Sequence, residues 1–336
     1  MFLSRQNNSP YVRAQTSVTL VMLKVLLALL PAIGAYVWLF GIGVLVQLLL
    51  ASATALVAEA VMLKLRGKPP GMFLSDLSAI VTAWLIALAF PSIAPWWIIV
   101  LGTAFAIVIA KHLYGGLGQN PFNPAMVAYC VMIVAFPALM SQWPASGLDS
   151  ATQLARIFGN TGAIDALTSA TPLDALRTGL RESGATVAQT LSGPAFGWAG
   201  GKGWEWIAAA YALGGLYLLQ QRIITWHIPA AFLGGLAVIA GIAALANGGS
   251  FPGPLYHLAT GGSLLGAFFI LTDPVSGATT PRGKLLFGAG AALLTWIIRS
   301  FGAYPDGIAF ATLLMNLCVP ILDMKTQPPV FGHKNN

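Results

Sequence analysis

Residues 21–40 read VMLKVLLALLPAIGAYVWLF and residues 43–63 read GVLVQLLLASATALVAEAVML, with Lys24 and Glu59 the single charged side chain in each. At about 1.5 Å per residue, either run makes a helix roughly 30 Å long, the thickness of a bilayer's hydrocarbon core. Eight further apolar runs lie near 77–93, 95–112, 122–140, 204–220, 228–246, 257–272, 285–299 and 306–323. The whole chain is 57% hydrophobic and 8% charged, whereas a soluble domain carries about 25% charged residues. These runs predict an all-α polytopic membrane protein of about ten transmembrane helices. The first twenty residues include the polar run QNNSP and no short apolar core before a small-residue cleavage site, so the first helix is expected to direct insertion.

Basic residues set the orientation, because cytoplasmic helix flanks accumulate Lys and Arg. With both termini cytoplasmic, Arg5, Arg13, Lys24, Lys64, Arg66, Lys68, Lys111, Arg222, Arg282, Lys284, Lys325 and Lys334 fall at or near the inner face. Arg156, Arg177, Arg181 and Lys202 then sit in the one long outer loop, and Arg299 at an outer helix end. The net charge of +7 therefore reads as topology in a cytoplasmic (inner) membrane. Scattered along helix ends, these residues form no basic stripe for nucleic acid. The predicted partner is the lipid bilayer.

Residues 141–203 form the long outer segment, rich in Gly, Ser, Thr and Ala, with four acids (Asp149, Asp165, Asp174, Glu182) against four bases. A loop of this length in a compact protein is usually functional. It contains DALTSAT, Asp165–Thr171, whose pattern Asp-x-x-(Ser/Thr)-x-Ala-Thr recurs as DPVSGAT, Asp273–Thr279. Leu173 to Leu180 is expected to form a short helix with Pro172 in its first turn, where a missing N–H is harmless. Thr171 then stands at a helix N-terminus, whose free N–H groups and dipole favour a phosphate.

Short similarities suggest an internal duplication. KPPGMFLSDLS (68–78) precedes the third run much as FPGPLYHLA (251–259) precedes the eighth, and Cys130 and Cys318 sit at similar depths in the fifth and tenth. Two five-helix halves must be inverted relative to each other, an arrangement common in transporters. The predicted organisation is a first five-helix membrane repeat (1–140), an extracytoplasmic loop domain (141–203), a second five-helix repeat (204–325) and a cytoplasmic tail (326–336).

TDPVSGATTPRG (272–283), YPDG (304–307) with Ala309 and Phe310, MNLC (315–318), the tail TQP (326–328) and the loop string TSATPLD together resemble the D subunit of the Rnf ion-translocating electron-transport complex. The resemblance extends to its paralogue, the B subunit of the sodium-pumping NADH:quinone reductase, and covers nearly the whole chain. It implies a ten-helix inverted-repeat protein carrying FMN as a phosphoester on a threonine between the fifth and sixth spans, and a second, non-covalent flavin, riboflavin. Carried over, the modified residue is Thr171 within Asp165, Thr168, Ser169 and Ala170; Ser169 replaces the motif's usual glycine. Thr279 matches the local pattern better but lies in a loop expected on the cytoplasmic side. Asp165 aids recognition or proton removal, or is simply a solvated loop acid. A threonine hydroxyl is a poor nucleophile without an adjacent base, so attachment requires a separate flavin transferase using FAD. The resemblance also implies partner subunits, among them a second flavin-carrying subunit and iron–sulfur subunits, in an electron chain between ferredoxin and NAD⁺ coupled to movement of Na⁺ or H⁺.

Other cofactors find little support. Two cysteines cannot ligate an iron–sulfur cluster, and both are expected to be buried thiols. The histidines (His112, His227, His257, His333) are expected at interfaces or caps, not as haem or metal ligands. No P-loop or dinucleotide fingerprint occurs, and no catalytic residue is expected in what reads as an electron relay. The candidate ion-path residues are Glu59, Asp76 and Asp273, with Asn120, Asn123 and Asn316 as alternative polar groups facing the interior. Asp76, Asp273 and Asp306 are equally readable as helix caps, and the tryptophans at span ends as an aromatic belt. A secondary transporter or channel for a small solute, and a non-redox scaffold, are the competing functions.

Overall fold

Ser17 accepts the Leu20 N–H through its hydroxyl and so caps the first helix, α1 (Val18–Phe40), which stops where Gly41 takes a φ of 85°. In this computed structural model, residues 17–159, 167–182 and 184–328 are described. After α2 (Gly43–Leu65) come a short α3 (Pro70–Leu74) and α4 (Ser78–Ala89), the latter started by Asp76, whose Oδ1 accepts the Ser78 N–H at 2.7 Å. Helix α5 (Trp96–Phe105) continues into a π-helical segment, Ala106–His112. Asn123 caps α6 (Pro124–Ala135) by accepting the N–H groups of Ala125 and Met126, and α7 (Pro137–Met140) follows.

The loop segment holds a two-stranded antiparallel ribbon, β1 (Trp143–Pro144) with β2 (Thr168–Ser169), and the short helices α8 (Ser150–Phe158), α9 (Pro172–Glu182) and α10 (Val187–Leu191). The chain then re-enters as α11 (Trp204–Gln220) and α12 (His227–Ala246). Next come α13 (Pro254–Ala259) and α14 (Ser263–Leu265), which runs on as a π-helical segment, Gly266–Ile270. The last two helices are α15 (Pro281–Phe301) and α16 (Ile308–Thr326).

Among the described residues, α1, α2, α12, α15 and α16 are long and apolar enough to cross a membrane, and Ser78–Ala89, Trp96–His112 and Pro124–Ala135 are shorter apolar helices. Several of the ten expected runs are interrupted. The 77–93 run stops at Phe90 ahead of Pro91, and the 122–140 run is interrupted at Phe136 ahead of Pro137, since the residue before a proline disfavours helical backbone. The 257–272 run is broken between Thr260 and Gly262, with Gly261 at a φ of +62°.

The core is continuous. Helix α1 packs on α11, α2 on α4 and α5, α12 on α15, α15 on α16, and α6 meets α16. Where α1 meets α11 the contact is made by Ala28 and Gly214, the small-residue packing that brings helices close in lipid. Two of the contacts that dock the loop on this bundle come from its helices α8 and α9. Gln153 of α8, 1% exposed, accepts the Gly43 N–H at 2.7 Å and donates to the Leu148 carbonyl at 2.8 Å. Leu173 and Leu176 of α9 form a second apolar cluster with Tyr256 of α13.

Candidate functional site

Thr171 is the N-cap of α9: its Oγ1 accepts the Asp174 N–H at 3.2 Å and its carbonyl accepts the Ala175 N–H at 2.8 Å. The expected short helix thus exists, longer than predicted at Pro172–Glu182. Immediately before it, Thr168 and Ser169 are extended against Pro144 and Trp143, and Ser169 and Ala170 are exposed. Strand, exposed link and cap together present the hydroxyl-bearing residue on accessible backbone. Asp165 lies outside the described residues.

Three contacts from the second half of the chain hold the cap in place. The Tyr256 hydroxyl donates to the Pro172 carbonyl at 2.7 Å in a buried bond. Gly201 stands against the Pro172 ring so closely that any Cβ there would overlap Pro172 Cγ. At the break between α13 and α14, Gly261 (φ +62°) lies under Leu173; a Cβ would come within 2.6 Å of Leu173 Cδ1 and 2.5 Å of Asp306 Oδ2. That break is fixed by Asp306, whose Oδ2 accepts the Gly262 N–H at 2.7 Å and whose Oδ1 pairs with Arg299 at 3.0 Å.

A cavity of about 100 Å³ opens beside Thr171, between α1, α6, α11 and the starts of α14 and α16. Tyr36, Trp143 and Trp204 form one wall, with Trp204 edge-on to Trp143 at 5.2 Å and to Tyr36 at 6.2 Å. Met126, Leu88, Ile207 and Ile308 supply apolar surface. A mostly apolar cleft with an aromatic wall suits a flat conjugated ring. The α9 N-terminus suits an anion, although Asp174 stands in the same first turn. Burial pushes the Asp174 carboxyl above the usual carboxylate range, and Arg177 pulls it partly back. A phosphate-bearing aromatic cofactor therefore fits the residues present.

At the other end of α1, a second cavity of about 140 Å³ is lined by Ser78, Lys111, Asn120, Asn123, Phe268 and Asp273, among others. Behind it lies Glu59, 3% exposed. Lys111 Nζ donates to both Glu59 oxygens, at 2.9 and 2.8 Å, and to Ser78 Oγ at 2.9 Å. His112 Nε2 stands 3.2 Å from Glu59 Oε1, and Arg66 reaches His112 Nδ1 at 3.5 Å. Lys111, counted in the sequence among the basic residues near the inner face, is buried as the partner of Glu59. Asp76 caps α4, as expected of it, and lines a further crevice with Glu59 and His112. Asp273 accepts the Val275 N–H at 3.1 Å and the Ser276 hydroxyl at 2.8 Å while lining the second cavity. The structure thus brings Glu59 and Asp76 to one crevice and puts Asp273 on the far wall of the adjoining cavity. Asn123 and Asn316 cross-link α6 to α16, with Asn123 N–H donating to Asn316 Oδ1 at 3.1 Å.

Thr279 is exposed, and its hydroxyl donates to Asp323 Oδ2 at 2.8 Å. Its surroundings include no aromatic wall. Cys130 is buried as expected, whereas Cys318 is exposed; on an apolar helix in lipid, hydropathy does not distinguish the inward face from the outward one. His112 and His257 are buried, each in the last turn of its helical segment. No group of three or more potential metal ligands is found among the described residues.

The family model described as the NQR2, RnfD, RnfE family matches residues 5–332. The chain is 48% identical over 343 residues to the D subunit of the ion-translocating oxidoreductase complex of Vibrio cholerae serotype O1 (strain ATCC 39541 / Classical Ogawa 395 / O395), covering 97% of this chain and 98% of that protein. The protein of the same name from Vibrio vulnificus (strain YJ016) is 49% identical over 350 residues, with the same coverage. That from Salmonella paratyphi A (strain ATCC 9150 / SARB42) is 48% identical over 345 residues, again covering 97% and 98%. A match of this length and strength leaves the sequence resemblance standing, and the chain belongs to the NQR2, RnfD, RnfE family.

Proposed function

We propose that the chain is the membrane flavoprotein component of an ion-translocating ferredoxin:NAD⁺ oxidoreductase-type complex, relaying electrons through FMN bound as a phosphoester to Thr171. The observation that carries this reading is Thr171 itself, a helix N-cap on accessible backbone that also borders a cleft walled by Tyr36, Trp143 and Trp204. In attachment, Thr171 Oγ1 displaces AMP from the FAD pyrophosphate, a new P–O bond replaces the broken one, and the hydroxyl proton passes to a base on the flavin transferase. The bound flavin supplies one- and two-electron transfer. The chain's own residues would do the positioning: the α9 N-terminus would hold the phosphate, the Tyr256 and Gly201 contacts to Pro172 would fix the tether, and Tyr36, Trp143 and Trp204 would offer the ring an aromatic wall.

The second cavity, with Phe268 beside the polar side chains of Ser78, Asn123 and Asp273, is the place we assign to a second, non-covalent flavin, riboflavin. We read the element order as two inverted five-helix repeats. Each supplies two long or medium helices, a broken one and two more; α3 and α4 then correspond to α13 and α14. On this reading residues 1–140 and 204–325 are the repeats, 141–203 the outer flavin-carrying loop and 326–336 the tail. Both termini face the cytoplasm of an inner membrane. Partner subunits, one carrying flavin and others iron–sulfur clusters, complete the electron path, and Glu59, Asp76 and Asp273 are the acids offered to the coupling ion.

Ultraviolet in-gel fluorescence of the denatured chain, expressed with its transferase, tests the assignment. Fluorescence that persists in Thr279→Ala and vanishes in Thr171→Ala is expected. Loss only in Thr279→Ala moves the site, and a dark wild-type chain favours the solute transporter or channel.

A further inference from the structure

A third cavity, of about 500 Å³, lies beside α9 and shares Leu173 and Pro305 with the Thr171 cleft. Its floor is cationic. Arg177 and Arg181 of α9 and Arg299 of α15 line it. Arg299 is committed, pairing with Asp306 and donating to the His257 and Thr260 carbonyls at 2.9 and 3.4 Å. Arg177 and Arg181 both donate to one acceptor, the Gly302 carbonyl. Two guanidiniums crowded onto one carbonyl repel each other: burial, then the Arg181 charge, lowers the Arg177 pKa, against a partial offset from Asp174.

His257 lines the same cavity, is 3% exposed, and has no hydrogen-bond partner for either ring nitrogen among the described residues. A buried polar group left unpaired costs about 1–3 kcal/mol, so its presence calls for a ligand. The opposite wall is apolar, built from Leu176, Leu180, Phe251 and Phe301. Phe251, Trp296 and Phe301 form a ring cluster with centroids 5.7–6.0 Å apart at the end of a long apolar helix, the arrangement found at the headgroup level of membrane proteins.

We propose that this cavity binds an anionic phospholipid, with the headgroup phosphate between Arg177, Arg181 and His257 and the chains against Leu176, Leu180 and Phe301. The cationic floor recognises a phosphate, and the apolar wall makes a lipid the source in preference to a free anion. Such a lipid braces α9 independently of any flavin on Thr171.

The test is lipid retention by the purified full chain in neutral detergent, read by native mass spectrometry with dioleoyl phosphatidylglycerol, dioleoyl phosphatidylcholine or inorganic phosphate added. Phosphatidylglycerol is expected to bind in preference to phosphatidylcholine. The Arg177→Gln/Arg181→Gln variant should lose roughly thirtyfold in that affinity, the equivalent of about 2 kcal/mol at about 1 kcal/mol per basic residue. The exposed single variant Arg181→Gln, which leaves the α9 packing untouched, should lose about fivefold. A control pair at the opposite end, Arg222→Gln/Lys284→Gln, should leave retention unchanged. Equal retention of the two lipids, or undiminished preference in Arg181→Gln, overturns the proposal. Stoichiometric inorganic phosphate that displaces phosphatidylglycerol identifies a free-anion site and overturns it equally.

Discussion

Lys111→Met separates a structural ion pair from an incidental one. In the native chain the Lys111 ammonium makes three hydrogen bonds, two to Glu59 and one to Ser78, with both charged side chains 4% exposed or less. Methionine fills nearly the same space without charge, so the variant leaves the Glu59 carboxylate buried beside His112 alone. Removing one partner of a buried pair costs about 3–5 kcal/mol, mostly because the remaining charge is uncompensated. Glu59→Gln strands the ammonium and should cost a similar amount. The double variant Glu59→Gln/Lys111→Met carries no buried charge there, and matched replacement of a buried pair is often close to neutral. The double variant should therefore be more stable than either single, with a coupling energy of about 3 kcal/mol or more. Unfolding of the purified chain in mixed detergent–dodecyl sulfate micelles measures all four free energies. Singles within about 1 kcal/mol of the native chain, or a double equal to the sum of its singles, would refute the reasoning.

Other consequences concern the tether. Tyr256→Phe leaves the Pro172 carbonyl buried without its donor and should cost about 1–3 kcal/mol in the same unfolding assay, with slower flavin attachment. Gly201→Ala forces a Cβ into the Pro172 ring; the displaced α9 start should lower flavin fluorescence per chain, whereas Gly71→Ala, with open space around it, should not. Asp174→Asn should raise the thermal midpoint at neutral pH. Because the folded carboxyl pKa is raised, the native acid costs nothing below its unfolded pKa, and the penalty develops as pH rises from there through the folded value. The gain in Asp174→Asn should therefore fade as pH falls below the ordinary carboxylate range; a gain that persists at low pH contradicts the burial argument.

Membrane class was legible because 23-residue runs such as Gly43–Leu65 have no other stable home. The Thr171 cap was legible too: proline followed by a helix-forming, amphipathic PLDALRTGL states a helix start in local chemistry. Asp76 as a cap followed from the same logic. What escaped depends on tertiary context. Window-averaged hydropathy merges α13 with α14 across Gly261, whose left-handed backbone is set by Leu173 and Asp306 packing over it. The partnership of Glu59 with Lys111 spans 52 positions; their similar depth at two neighbouring helix ends was the available signal. The burial of His257 was not legible either, because the short Pro- and Gly-flanked run that carries it has no periodicity to show which way α13 turns it. Lipid-facing positions such as Cys318 cannot be separated from core positions when both are apolar.

Peptide-resolved tandem mass spectrometry of the chain, co-expressed with its flavin transferase, tests the central claim most directly. The account predicts an FMN phosphoester on the peptide containing Thr171, with fragment ions placing it on that side chain, and an unmodified peptide containing Thr279. A flavin on Thr279, or fully unmodified Thr171 in a chain active within its complex, would contradict it.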